Sequence, residues 1–191
     1  MKIIFATHNQ NKVKELNQLV PEPYKILSLN DINCLQEIEE SGKALEDNAK
    51  IKADYVRYKY GLDCFSDDSG LEVDALSGAP GVYSARYAGE EKNNDANIQK
   101  IWNSLKEVAN TAACFRSVFY VNLRGKTYSF EGRVAGNLIF EKRGLGGFGY
   151  DHIFIPSGYK QTFAELGDET KNKISHRANA TKQLIKLLNT I

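Results

Sequence analysis

Four short segments carry residue types that handle anions, protons or metal ions. Thr7-His8-Asn9-Gln10-Asn11-Lys12 sits between an apolar run and a helical pattern. A strand-to-helix turn of that kind offers backbone N–H groups and the positive end of a helix to an anion, with Lys12 as a point charge. The same residues also read as a plain capped helix start with an exposed lysine. Asp67-Asp68-Ser69-Gly70 follows a buried-looking stretch, where adjacent acids cost desolvation unless a cation or hydrogen bonds offset it. Successive residues of an extended chain point to opposite faces, so one acid is free to face a cleft while the other holds the loop through backbone N–H groups. The tetrapeptide equally suits a solvated turn. Glu39-Glu40-Ser41-Gly42 reads by itself as a surface loop.

Gly144-Leu145-Gly146-Gly147-Phe148-Gly149 matches GxGxxG letter for letter, but the match fails on context. A dinucleotide fingerprint needs a strand before it and a helix opening on it, whereas this loop leads through Tyr150-Asp151 into a strand-like His152–Pro156. The glycines fit a backbone approaching a flat ligand, with Phe148 or Tyr150 as stacking surface, or a flexible loop around a core aromatic. In Lys171-Asn172-Lys173-Ile174-Ser175-His176-Arg177, Ser175 is placed as an N-cap with cations in the first turn, where they oppose the helix dipole. That pattern serves either an acceptor-rich ligand or a solvated basic patch. Cys34, Cys64 and Cys114 form no CxxC motif, and His8, His152 and His176 lack zinc-site spacing.

The elements that must position these groups follow from periodicity. A strand over 2–7 leads to a helix capped by Asn9, with Val13, Leu16, Leu19 and Val20 on one face until Pro21. A second strand is expected over 24–29, and a helix from Ala44 with Leu45, Ala49, Ala53, Val56 and Tyr60 inward ends at Gly61. Leu62 to Ser66 reads as a short strand broken by the Asp-Asp-Ser-Gly turn, followed by a half-exposed strand over 71–76. A helix is expected over 93–108, then a hairpin of 114–123 and 127–134 around Arg124-Gly125-Lys126, a strand at 152–156, and a last helix from near Ser175. With 191 residues, 42% of them hydrophobic, and no linker, this is one domain over 1–191, a three-layer α/β fold with a mixed sheet. A net charge of +1 supplies no bulk field for nucleic acid or an anionic membrane, and no stretch has the length of a membrane span or signal peptide. The expectation is a cytoplasmic protein with no nucleic-acid or membrane partner.

In combination the segments resemble the inosine triphosphate pyrophosphatase family. The resemblance runs in order from residue 3 to about 180, through Ala6-Thr7-His8-Asn9 with Lys12, Glu40-Ser41-Gly42 with Asn48-Ala49 and Lys52, and Asp67-Asp68-Ser69-Gly70-Leu71-Glu72-Val73. It continues in Gly78 to Tyr87, Gly147-Phe148-Gly149-Tyr150-Asp151, and Lys171-Asn172 with Ser175-His176-Arg177. It implies an elongated mixed sheet in two lobes around a central cleft, a homodimer, and magnesium-dependent hydrolysis of ITP, dITP or XTP to the monophosphate and pyrophosphate. By that resemblance Asp68 is general base and metal ligand, and Glu40 is the second metal carboxylate. Thr7, His8, Asn9, Gln10, Asn11, Lys12, Lys52 and Ser69 then contact the triphosphate. Phe148, Gly149, Tyr150, Asp151, Lys171, His176 and Arg177 line the base pocket. Arg177 is expected to present a donor fork to O6 and N7 of a 6-keto purine, which adenine cannot match. His8 and His152 depart from the common family pattern. A Maf-type nucleotide diphosphatase and a purine nucleotide sensor without hydrolysis are the competing readings. The apolar and aromatic run from Gly78 to Tyr87 is the expected dimer surface.

Overall fold

The computed structural model describes residues 1–190. Strand β1 (Lys2–Phe5) lies parallel to β2 (Lys25–Leu27), in register from Lys2 opposite Lys25 to Ile4 opposite Leu27, and parallel to β3 (Cys64–Val73), with Phe5 opposite Phe65. Strands paired in parallel on both edges are buried on both faces, which is why Ile3-Ile4-Phe5 is uniformly apolar. The turn after β1 is closed by Asn9, whose side chain accepts from the amides of Asn11 and Lys12 and so caps α1 (Gln10–Leu19) as expected. Val13 and Leu16 face inward, and the helix stops before Pro21. The expected 24–29 strand is cut to three residues. The Ser28 amide and hydroxyl both donate to Asp31 Oδ2 at 2.7 Å and turn the chain into a 3-10 segment at Asn30–Ile32.

Helix α2 (Leu45–Tyr60) is started by Asp47, which accepts from the amides of Lys43 and Ala44, and is ended by Gly61 in the left-handed region at φ 66°. Of the stripe read from the sequence, Leu45, Ala49, Ala53 and Val56 are buried and Tyr60 is half-buried against the same cluster. The Asp67-Asp68-Ser69-Gly70 turn is not there. β3 runs unbroken from Cys64 to Val73 through all four residues; over 71–73 it alternates as expected, Leu71 and Val73 buried and Glu72 half-buried, and a 3-10 turn at Asp74–Leu76 takes the place of the rest of the expected strand. Side-chain partners for each acid, Lys12 and Arg177 at Asp67 and Asn48 at Asp68, offset part of the desolvation cost and let the strand continue.

Helix α3 (Asn94–Leu105) is capped by Asn93, and β4 (Ala112–Leu123) and β5 (Lys126–Leu138) form the expected hairpin across Arg124 and Gly125, both at positive φ. β5 outruns the expected 127–134 because its far end pairs antiparallel with β6 (Phe154–Pro156), with Gly136 opposite Pro156 and Leu138 opposite Phe154. His152 falls in a 3-10 segment, Gly149–His152, not in that strand. Helix α4 (Phe163–Ile174) was not expected. Its start carries a reciprocal cap, the Glu165 amide to Thr162 Oγ1 at 3.3 Å and the Thr162 amide to Glu165 Oε2 at 2.7 Å, while Gly167 at φ 72° interrupts the periodicity that would have revealed it. Ser175 is extended, and α5 (His176–Leu188) follows. The six strands form one mixed sheet in the order β2-β1-β3-β4-β5-β6.

The chain divides into two compact units. The first holds residues 1–68, 117–132 and 177–190, with Phe5 stacked on Phe65 at 4.6 Å, Phe65 on Phe119 at 5.6 Å, and Leu16, Leu184 and Leu188 packed around them. The second holds residues 69–116 and 133–176, with Leu71, Val73, Ile101, Leu138, Phe154 and Phe163 in its core. Among the described residues no helix is long and apolar enough to cross a membrane.

Gly70 is required by close approach in the second unit. A Cβ there would run into the Gly81 carbonyl and lie 3.0 Å from Ser84 Oγ, the atom that accepts the Leu71 amide. Gly70→Ala is therefore expected to destabilise the protein by about 1–3 kcal/mol, the usual range for an overpacked core position. Urea unfolding should show a lower midpoint at unchanged slope; a midpoint equal to that of the original chain would show that the carbonyl yields freely.

Candidate active site

The two acids of β3 point to opposite sides of the strand, and each meets a different set of partners in the first unit. Asp67 is fully buried. Its Oδ1 accepts from Lys12 Nζ at 2.8 Å and its Oδ2 from Arg177 Nε at 3.2 Å, while Arg177 Nη1 donates to Glu15 Oε2 at 2.5 Å. Burial favours the neutral carboxyl, but the charges of Lys12, Arg177 and Lys52 outweigh it and hold Asp67 well below the ordinary carboxylate range. Lys12 itself is pushed down by burial, against the pull of Asp67. Lys12 and Glu15 stand three residues apart on α1, so one helix face supplies a cation to Asp67 and an anion to Arg177.

Asp68 occupies the other side. Asn48 Nδ2 donates to its Oδ2 at 3.1 Å, and Lys52 Nζ lies 3.8 Å from its Oδ1 and pairs with Glu40 Oε1. Asn48 Oδ1 in turn accepts from the Gly42 amide at 2.8 Å, so the Glu40-Ser41-Gly42 loop is tied to α2 rather than standing free on the surface. Here burial dominates and is reinforced by the charge of Glu40, so Asp68 is raised above the ordinary range despite Lys52. Glu40 feels burial too, yet Lys52 holds it low. Lys52 is raised, its burial outweighed by Asp68, Glu40 and Asp67.

Two carboxylates sharing one lysine form a hard oxygen donor set. Among the described residues no three His, Cys, Asp or Glu side chains gather as an all-protein metal cage. Magnesium is usually held by one or two carboxylates together with water and substrate phosphates. Glu40 and Asp68 fit that class, and a cation held by the two would relieve the mutual repulsion that helps raise Asp68.

The phosphate-loop expectation is narrowed by the geometry. The Asn9 amide is held by Thr7 Oγ1 at 3.1 Å, and the Asn11 and Lys12 amides by Asn9 Oδ1, so three backbone donors of this turn are engaged within it, and Lys12 Nζ is its charged group. Gln10 reaches back to the His8 carbonyl, and the His8 ring faces Asn30 and Gln36. Arg177 was expected as an open fork, yet two of its nitrogens are engaged by Asp67 and Glu15 and the side chain is buried.

The second unit gathers most of the residues expected at the base. Asp151 Oδ2 accepts from Lys171 Nζ and from the Phe148 amide, both at 2.8 Å, and Lys171 Nζ stands 4.6 Å from the centre of the half-buried Phe148 ring. Gly147 has φ 71° and a Cβ there would meet Asp151, so the glycine admits this carboxylate. His176 stacks on Phe115 with ring centres 4.9 Å apart. Tyr150 is no stacking surface: it is buried and its hydroxyl donates to the Ser84 carbonyl at 2.8 Å. Ser69 follows Asp68 directly on β3, and Gly149 opens the 3-10 segment. Glu15 was missed from the sequence, although its spacing from Lys12 was a usable signal.

Fold and site together define an α/β protein with a carboxylate and lysine centre suited to a polyphosphate ligand. The sequence profile of the Ham1 family matches residues 3–187. The chain is 53% identical over 188 residues to the dITP/XTP pyrophosphatase of Christiangramia forsetii, covering 98% of this chain and 99% of that one. It is also 53% identical to the enzyme of the same name from Flavobacterium johnsoniae, covering 98% of each. A HAM1 protein from Coxiella burnetii superposes with a TM-score of 0.92 at 34% identity over the whole of both chains. The chain belongs to the Ham1 family.

Replacing Asp67 by Asn leaves Lys12 and Arg177 without their shared anion, and breaking a buried pair costs about 3–5 kcal/mol. Because the folded carboxyl titrates below its unfolded value, this contribution is present above about pH 4 and is lost as pH falls toward the folded value. The stability gap between the original chain and Asp67→Asn, measured by urea unfolding, should be full at pH 7 and shrink steadily below pH 4. A gap that is small at pH 7 would remove Asp67 from this role.

Proposed function

We propose that this chain hydrolyses dITP, ITP and XTP to the nucleoside monophosphate and pyrophosphate with magnesium, clearing these purines from the nucleotide pool of the cytoplasm. The observation that carries the reading is the division between the two β3 acids. Asp67 is locked as a permanent anion, while Asp68 is held as a stronger base beside Lys52 and Glu40. Full-length relatives named dITP/XTP pyrophosphatases supply the substrate class.

In this reading Glu40 and Asp68 hold the cation, which when bound neutralises phosphate charge and polarises the phosphoryl group under attack. Lys12 and Lys52 each retain donors beyond their carboxylate partners and bind triphosphate oxygens. Asp68 accepts the proton of the attacking water as its oxygen bonds to phosphorus and the bond between monophosphate and pyrophosphate breaks. Phe148, with Asp151 and Lys171, and His176 are the proposed nucleobase residues, with Arg177 steadying Asp67 behind Lys12. A homodimer is also proposed, supported by the half-exposed Tyr83, which stacks with Arg86 at 5.4 Å within the Gly81–Arg86 segment.

Pyrophosphate should be the first product from dITP, ITP and XTP, and a chelator should abolish its release; orthophosphate first, or no product with any nucleotide, would overturn the reading. Asp68→Asn should lower turnover at least about a hundredfold, the lower range for loss of a general base, while near-normal turnover would move the chemistry to another group. Sedimentation at micromolar concentration should give a dimer, and a stable monomer would remove that part of the proposal.

A further inference from the structure

The His8 side chain makes no use of the Asn9-capped turn it belongs to. Its Nδ1 lies 2.9 Å from Asn30 Oδ1 and its Nε2 lies 3.1 Å from the Gln36 carbonyl oxygen. The Thr7 carbonyl accepts the Leu29 amide at 3.2 Å, so the Thr7-His8 turn and the 29–36 segment are joined at three points. Gln36 is anchored in its turn. Its side-chain oxygen accepts from Tyr55 Oη at 3.0 Å and from Lys59 Nζ at 3.2 Å, both on α2, the helix that carries Asn48 and Lys52. One ring therefore links the turn leading to Lys12 with the helix leading to Lys52.

We infer that His8 is a positioning residue for triphosphate binding, a clamp that fixes the Lys12 turn to the 29–36 segment and through Gln36 to α2; the inference rests on the proposed activity. The Gln36 carbonyl can only accept, so Nε2 carries a proton. Nδ1 then accepts from the Asn30 amide in the neutral ring or donates to its oxygen in the imidazolium, and the clamp persists in both states. An alanine at position 8 frees the turn, and a glutamine restores one donor.

A double-mutant cycle tests this, with kcat and KM for dITP measured with magnesium for the original chain, His8→Ala, Asn30→Ala and both together. Two hydrogen bonds of ordinary net worth correspond to a rise in KM of about five- to thirtyfold for His8→Ala, with kcat within about twofold because the contact is shared by ground and transition states. Asn30→Ala should raise KM less, the double variant no more than His8→Ala alone, and His8→Gln should recover part of the loss. An unchanged KM in His8→Ala would overturn the clamp by showing that His8 positions nothing, and effects that simply multiply in the double variant would overturn it by showing that His8 does not act through Asn30. Absence of pyrophosphate release by the original chain would sink the activity instead. The clamp is then read by hydrogen exchange at the Leu29 amide, expected roughly tenfold faster in His8→Ala and unchanged if there is no clamp.

Discussion

Two adjacent carboxylates on one buried strand face opposite ways, so among the described residues no single cation touches both Asp67 and Asp68 directly. Ion burial costs several kcal/mol per charge after relaxation, so each acid needs partners of its own. Asp67 draws Lys12 from α1 and Arg177 from the start of α5, and the arginine requires Glu15 as a further anion. Asp68 draws Asn48 and Lys52 from α2 and, through that lysine, Glu40 from the loop before it. Every charged group of the first unit's site is accounted for by those two demands.

The demands are met unequally, and chemistry follows from the inequality. Asp67 has two cations in direct contact and stays ionised across any working pH, whereas Asp68 has a lysine at longer range, an amide and a neighbouring anion. Groups whose environments drive their protonation apart can divide a structural task from an acid and base task. In this chain the strand carries a carboxylate held ionised on one side and a carboxylate raised above the ordinary range on the other.

Much of the first unit was legible from local rules. The Asn9 cap, the inward stripe of α2, the Gly61 stop and the Arg124-Gly125 hairpin are all short-range patterns, and all stand where they were read. What escaped depended on distance along the chain. An Asp-Asp-Ser-Gly stretch is turn chemistry until cations from residues 12, 52 and 177 let the strand continue, and no window of local sequence contains them. Arg177 looked free for a ligand because Asp67 and Glu15 lie 110 and 162 positions away. α4 was hidden differently, since Gly167 breaks its period although the Thr162 and Glu165 cap was readable. The nearness of Asp151, Lys171 and Phe148 came from the resemblance, as spacing alone could not join a loop to the next helix.

The division of labour on β3 is tested most directly by following the side-chain carboxyl carbons of Asp67 and Asp68 through an acid titration by NMR. Asp68 should take up its proton above the ordinary carboxylate range, and Asp67 should remain ionised well below it for as long as the fold persists. Coincident titration of the two, or Asp67 protonating first, would contradict the account.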